Sequence, residues 1–260
     1  MKCFSSFLMM RINLTINRLN CIIYQIQSLT EWIKIMKKSL SLAVLLSLST
    51  VGSVHSLSAN ELEISGNVGV ASNYIWRGMT QTKDDSQVSG GVDLGLQGFY
   101  LGTWASNIDF GDDADAEIDF YAGYGNSIEN FSYDLSYIYY MYPSSDAELD
   151  FQEIALSLGY EIDALSLGAS YSFGIDTEDN SAKTLDYAEA TASYDFGFAS
   201  FNLSYGDYED TGDNYTVGFS KTIDLNGNSL DLAISYADFD HETDATSDEE
   251  NVYASITYSF

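Results

Sequence analysis

The chain has 260 residues with 39 acidic and 10 basic side chains, a formal charge of -29, one proline, 20 tyrosines and 14 phenylalanines. That charge excludes a nucleic-acid binder, because neutralising phosphates takes clustered Lys and Arg, and it repels anionic headgroups. At 45% hydrophobic and 14% aromatic residues the chain is too apolar for a solvating acidic tail, so the rings must be buried against something.

Taken in chain order, Met36, Lys37 and Lys38 precede an apolar run, Ser39 to Val54, and then the small residues Ser56, Ser58 and Ala59. Basic n-region, short h-region and small-residue zone together read as a signal peptide over 36–59, cleaved after Ala59, with Ser56 or Ser58 as other cleavage positions. The competing reading is an uncleaved anchor; the run is shorter than the roughly 18 apolar residues a spanning helix needs. Residues 1–35 carry no turn punctuation and none of the later pattern, and read as an over-extended upstream frame with Met36 as the true start. A genuine leader or cytosolic extension is the alternative.

Both cysteines, Cys3 and Cys21, fall in that upstream part, so the expected mature region, 60–260, has no thiol chemistry. Its cations are Arg77, Lys83, Lys183 and Lys221 against 38 carboxylates, a net charge of -34.

Within 60–260 no helical period persists, whereas apolar residues alternate with polar ones in segment after segment, the mark of strands with two unlike faces. Twelve strands are expected, at 62–77, 87–97, 99–108, 116–127, 131–142, 149–160, 162–174, 184–195, 198–206, 214–223, 228–239 and 251–260. In the last, Val252, Ala254, Ile256, Tyr258 and Phe260 share one face. Short connections near Gly98, at Glu129 and Asn130, at Glu161, around Gly197 and at Asn226-Gly227 alternate with longer acidic ones at 78–86, 109–115, 143–148, 175–183, 207–213 and 240–250. Asn226-Gly227 is a strong hairpin signal, and the one proline, Pro143, falls in a long loop.

An even strand number, tight turns alternating with long polar loops, and both termini on the tight-turn side predict an all-β fold. It is a transmembrane antiparallel β-barrel of about 12 strands, with short periplasmic turns and long acidic extracellular loops. The soluble alternative is a secreted sandwich or lipocalin-like barrel with its apolar face inward. Against it stand Tyr and Phe near the ends of the apolar faces, as in interfacial girdles, and small polar opposite faces.

Residues 72–82 (SNYIWRGMTQT), 89–93 (SGGVD), 99–109 (FYLGTWASNID), 117–124 (EIDFYAGY) and 142–143 (YP) resemble the TorF-type porin family, predicted proteobacterial outer-membrane proteins. The likeness covers most of the mature region, with its specific motifs in the first half. Gln87 precedes Val88-Ser89-Gly90-Gly91 where members usually carry Pro and Gln, a minor departure. The resemblance implies an outer-membrane barrel and names no ligand. Tyr258 and the terminal Phe260 similarly resemble the C-terminal signal by which the barrel assembly machinery recognises its clients.

His241, in the last long loop, is the one histidine of the mature region, so a Ser-His-Asp hydrolase lacks its base, and no phosphate loop or dinucleotide fingerprint occurs. No enzyme and no cofactor are expected. The acidic loops invite weak Ca2+ or Mg2+ binding: Asp207 to Gly212 begins like a calcium loop but meets Gly218 where the closing acid belongs. Asp109, Asp112, Asp113 and Asp115, and Asp238, Asp240, Glu242 and Asp244, alternate along extended segments; the plainer reading is solvated loops.

Charges on the faces opposite the apolar stripes, Arg77, Asp93, Asp119, Asp134, Glu153 and Glu189, are the pore-lining candidates, since a carboxylate facing lipid is costly. They line either a cation-attracting passage or a salt-bridge network filling a narrow lumen. Trp76, Trp104, Tyr139, Tyr140 and Tyr142 read as interface anchors, with Tyr121 and Tyr140 as candidates to point inward instead.

The expected function is a small, cation-preferring diffusion porin of the cell outer membrane, its partners being membrane lipid, the assembly machinery and small solutes or cations. The alternative is a closed structural or surface-interaction barrel.

Overall fold

The structure, a computed structural model, describes residues 62–111, 113–143, 149–175, 184–243 and 248–260. The expected upstream extension and signal peptide, Lys183, Asp112 and Asp244 lie outside the described residues. Every regular element among the described residues is a strand. Twelve form the barrel: β1 (Glu63–Ala71), β4 (Gln87–Leu96), β5 (Phe99–Asn107), β6 (Ala116–Ile128), β7 (Phe131–Met141), β8 (Phe151–Ile162), β9 (Leu165–Gly174), β10 (Tyr187–Asp195), β11 (Ser200–Tyr208), β12 (Gly212–Asp224), β13 (Ser229–His241) and β14 (Glu249–Ser259). Two short ones, β2 (Ile75–Trp76) and β3 (Met79–Thr80), form a separate hairpin.

Each barrel strand pairs antiparallel with its neighbours in sequence, and β1 closes the ring by pairing with both β4 and β14. Closure leaves no open edge. The seam is reinforced at the terminus, where Gly66 and Phe260 exchange backbone hydrogen bonds of 2.9 and 3.0 Å.

The connections at the end carrying both termini are tight. Asn226 and Gly227 both take positive φ, the primed turn expected of that dipeptide. At the other end they are longer with one exception. A long acidic loop is expected at 207–213, but β11 continues to Tyr208 and β12 begins at Gly212, leaving a three-residue turn. Asp207 pairs with Asp213 in the ladder, so backbone pairing overrides the turn-like look of Asp, Gly and Asn.

Period-2 alternation sorts the side chains. Outward faces carry exposed Val68, Val70, Val92, Leu101, Leu156, Leu203, Ile234 and Ile256 as an aliphatic belt. Leaving such a side chain in water forgoes about 1.5–3 kcal/mol each, so the belt calls for a lipid solvent, and the barrel is a transmembrane one. Aromatic girdles flank it. At the turn end Phe99 meets Tyr124, Phe196 lies against Tyr194 and Phe198, and Tyr258 stacks on Phe260. At the loop end tyrosine hydroxyls reach acceptors on the rim: Tyr139 donates to Asp150, Tyr171 to Asp186, Tyr205 to Asp213 and Tyr236 to Asp238. Apolar ring in the bilayer and hydroxyl in the wet layer is the arrangement such girdles need.

Candidate functional site

The first strand ends at Ala71, not at 77 as the alternation suggested. The chain then turns into the barrel; Trp76 and Arg77 belong to the small hairpin, and Tyr74 directly precedes it. Its tip is Arg77-Gly78 with φ of +49° and +86°, a two-residue turn with both central residues left-handed. For Arg77 that conformation costs on the order of 1–3 kcal/mol, which the surroundings must hold in place. A Cβ on Gly78 would lie 2.6 Å from Cβ of Asn214 and 3.2 Å from Cβ of Phe239, so the tip packs directly on the wall formed by β12 and β13.

The hairpin is tied to strands all around the ring. Tyr74 donates to Glu117 of β6 at 2.8 Å, Asn73 to Asn251 of β14 at 3.1 Å, and the Thr80 backbone N–H to Glu249 at 2.8 Å. Trp76 meets Tyr140, Phe151 and Tyr208 edge-on at 5.9 to 6.1 Å between centroids. The Arg77 guanidinium donates to Oε2 of Glu153 at 2.7 Å, with both side chains buried, and lies 4.2 Å over Trp76, 4.3 Å over Tyr187 and 5.0 Å over Tyr208. Glu189 on β10 accepts a hydrogen bond from the Tyr187 hydroxyl at 3.4 Å.

The interior therefore has two levels. In the loop-end half the hairpin fills the space, and Ser106, Glu117, Asp119, Tyr140, Glu153 and Asn214 are buried. In the turn-end half the inward residues Asp93, Asp134, Glu161, Thr222, Asp231 and Thr257 are only half-buried. Here Tyr121 donates to Asp93 at 2.6 Å and Tyr100 to Asp134 at 2.9 Å.

All six charged candidates thus face the interior, but as two groups. Arg77, Glu153, Glu189 and Asp119 lie in the upper level, and Asp93 and Asp134 in the lower. Arg77 is not on a barrel strand at all. Oδ1 of Asp119, Oε1 of Glu153 and Nη1 of Arg77 are all buried with no hydrogen-bond partner, so the single ion pair leaves both donor and acceptor capacity unused in the upper level.

Four of the five expected interface anchors are interior residues. Trp76 is on the hairpin, Trp104 faces Tyr74 at 5.6 Å, and Tyr140 is buried against Phe151 at 4.2 Å. Tyr142 is buried beside the same cluster, while Tyr139 alone of the five joins the outer girdle. For Trp104 the reason is a pairing of ring with glycine: it is opposite Gly91, just as the inward Tyr121 is opposite Gly102 and Tyr100 opposite Gly123. The missing side chain on the neighbouring strand makes room for the ring inside the barrel. Sequence parity would have found Glu117, which shares the face of Asp119 and Tyr121, and Tyr187, which shares that of Glu189. Nothing local marks Tyr208 as a partner of Arg77.

Two further expectations concern the termini and the loops. Tyr258 accepts a hydrogen bond from Asn228 at 2.6 Å on the outer face, and the Phe260 ring covers Gly66 across the seam. In the acidic loops, Asp109 accepts from the Gly111 N–H at 2.8 Å and pairs with Lys83 at 3.2 Å. Among the described residues no group of three or more His, Cys, Asp or Glu is arranged to hold a metal ion.

No curated protein matches the chain. Among solved structures it is similar to the KdgM porin, at 10% identity and a TM-score of 0.52, covering 75% of this chain and 98% of that one. It is also similar to KdgM porin in complex with disordered oligogalacturonate, at 10% identity and a TM-score of 0.49, over 76% and 97%. A third is the NanC porin, at 10% identity and a TM-score of 0.47, over 76% and 99%. At this identity the first likeness shows a shared barrel fold. Residues 56–260 match a family described as "Bacterial protein of unknown function (Gcw_chp)", and the chain belongs to that family.

Proposed function

We propose that this protein is an outer-membrane, porin-like barrel for passive diffusion of small cationic or neutral solutes, narrowed by the hairpin at 75–80. One observation carries the reading: an apolar outer wall encloses an interior in which Asp93, Glu117, Asp119, Asp134, Glu153 and Glu189 face a single described cation, Arg77. Carboxylates lining a passage concentrate cations and repel anions, and low-dielectric walls strengthen the effect. The sequence likeness to TorF-type porins and the barrel shared with KdgM porin support the class.

On this reading the chain is exported by its signal at 36–59 and assembled through Tyr258 and Phe260, with the turns periplasmic and the acidic loops outside. Its work is non-enzymatic and uses no cofactor, and divalent ions meet the loops only weakly. The burial of Asn73, Tyr74, Gln81 and Thr82, which flank the hairpin, supports a second reading, a closed structural barrel. Planar-bilayer recording of the purified, folded protein separates the two. Conductance steps with a cation-preferring reversal potential are expected; silence favours the closed barrel, and an anion-preferring potential overturns the proposed selectivity.

A further inference from the structure

Arg77 is held as a ligand is held. Its guanidinium bonds a carboxylate and lies over aromatic rings, the two elements by which proteins recognise guanidinium and alkylammonium groups. Trp76 arrives with the hairpin, but the rest of the enclosure belongs to the wall: Glu153 on β8, Tyr187 on β10 with Glu189 hydrogen-bonded to it, Tyr208 on β11 and, edge-on to the Trp76 ring, Tyr140 on β7. These come from four different strands and would stay in place if the hairpin moved.

The wall is also under-neutralised. Glu153 is fully buried, and its Oε1 has no hydrogen-bond partner while Oε2 is engaged by Arg77. Asp119, buried one layer from Glu117, likewise leaves Oδ1 without one. Nη1 of Arg77 is likewise buried without a partner, so the tethered guanidinium, with a donor to spare, leaves these acceptors unmet, and its fit to the wall is incomplete.

We propose that Glu153, Tyr187, Glu189 and Tyr208 form a guanidinium- and alkylammonium-recognition site in the barrel interior, occupied in this conformation by the chain's own Arg77 as a tethered ligand. A solute bearing a guanidinium takes the same position when the hairpin leaves, so occupancy by solute and closure by Arg77 exclude one another. This deepens the proposed solute preference and rests on that reading only for the entry of solute. Binding itself needs a folded barrel, not a conducting one.

The test is chemical rescue. Arg77→Ala removes the tethered group and leaves the wall intact, and its thermal unfolding in detergent is followed with methylguanidinium as the probe and sodium at equal ionic strength as the control. Methylguanidinium is expected to raise the melting temperature by several degrees in Arg77→Ala, saturably in the millimolar range, with little effect on the wild type. Adding Glu153→Gln to Arg77→Ala abolishes the rescue. Should Arg77→Ala not accumulate as a folded barrel, Arg77→Gln carries the same measurement. Equal effects of methylguanidinium and sodium, or rescue that survives Glu153→Gln, overturn the proposal. A barrel that is rescued yet never conducts overturns the porin reading and leaves this site standing.

Discussion

Tyr74, on the segment that dips into the barrel, donates its hydroxyl to Oε1 of Glu117 on β6 at 2.8 Å, and both residues are buried. The bond joins the inserted segment to the wall on the side opposite the Arg77 tip. Removing the hydroxyl leaves a buried carboxylate short of a donor, a loss of about 1–3 kcal/mol. Tyr142, buried in the same cluster as Tyr74, is the neighbouring hydroxyl that can take over as donor, so Tyr74→Phe is expected at the low end of that range, and Tyr74→Phe with Tyr142→Phe at more than the sum. Heat-modifiable electrophoretic mobility, which distinguishes folded from unfolded barrel, measures both.

Gly78 has a φ of +86° and no room for a Cβ beside Asn214 and Phe239. Gly78→Ala is therefore expected to unseat the hairpin tip without touching a ladder hydrogen bond. Larger single-channel conductance and new protease sensitivity between residues 72 and 86 are the expected outcomes. Unchanged values of both would mean that the hairpin does not narrow the passage.

Selectivity is expected to reside in the lower level as well as the upper. Asp93 and Asp134 are half-buried and held by Tyr121 and Tyr100. Asp93→Asn with Asp134→Asn keeps shape and hydrogen bonds while removing two negative charges. The reversal potential in a salt gradient should shift toward zero with the unitary conductance little changed.

At the seam, a Cβ on Gly66 would lie 2.9 Å from Cζ of Phe260. Gly66→Val forces the terminal ring away, and deletion of Phe260 removes the two backbone hydrogen bonds it exchanges with Gly66. Both changes are expected to lower the fraction of heat-modifiable, folded protein in isolated outer membranes, the deletion more strongly.

In the loop at 108–115, the Gly111 N–H, and after it Lys83, holds the Asp109 carboxyl below its ordinary pKa. A depressed carboxylate favours the folded loop above the ordinary carboxylate range, and that preference fades as pH falls through the lowered value. The pair is half exposed and screened by salt. Lys83→Ala should move the Asp109 titration, followed by carboxyl NMR, only part of the way up, and leave conductance at neutral pH unchanged.

Much of this architecture is written in the sequence. Strict two-residue alternation around Leu156, Ile234 or Ile256 fixes which side chains meet lipid, because a strand offers only two faces and a carboxylate cannot share the lipid one. Turn chemistry such as Asn226-Gly227 then sets where strands reverse. The same local rules also fix that Asp93, Asp119, Asp134, Glu153 and Glu189 face inward. They do not distinguish a barrel strand from the inserted segment around Tyr74 and Trp76, since both alternate. What put Arg77 in the cage of Glu153, Tyr187 and Tyr208 is closure of the ring, which brings together residues 76 to 131 positions apart. Local pattern reads one strand at a time, whereas the fit of a hairpin into a lumen depends on the width and the glycine-made hollows of the whole barrel. The sequence by itself determined the faces; the tertiary structure decided what fills the space between them.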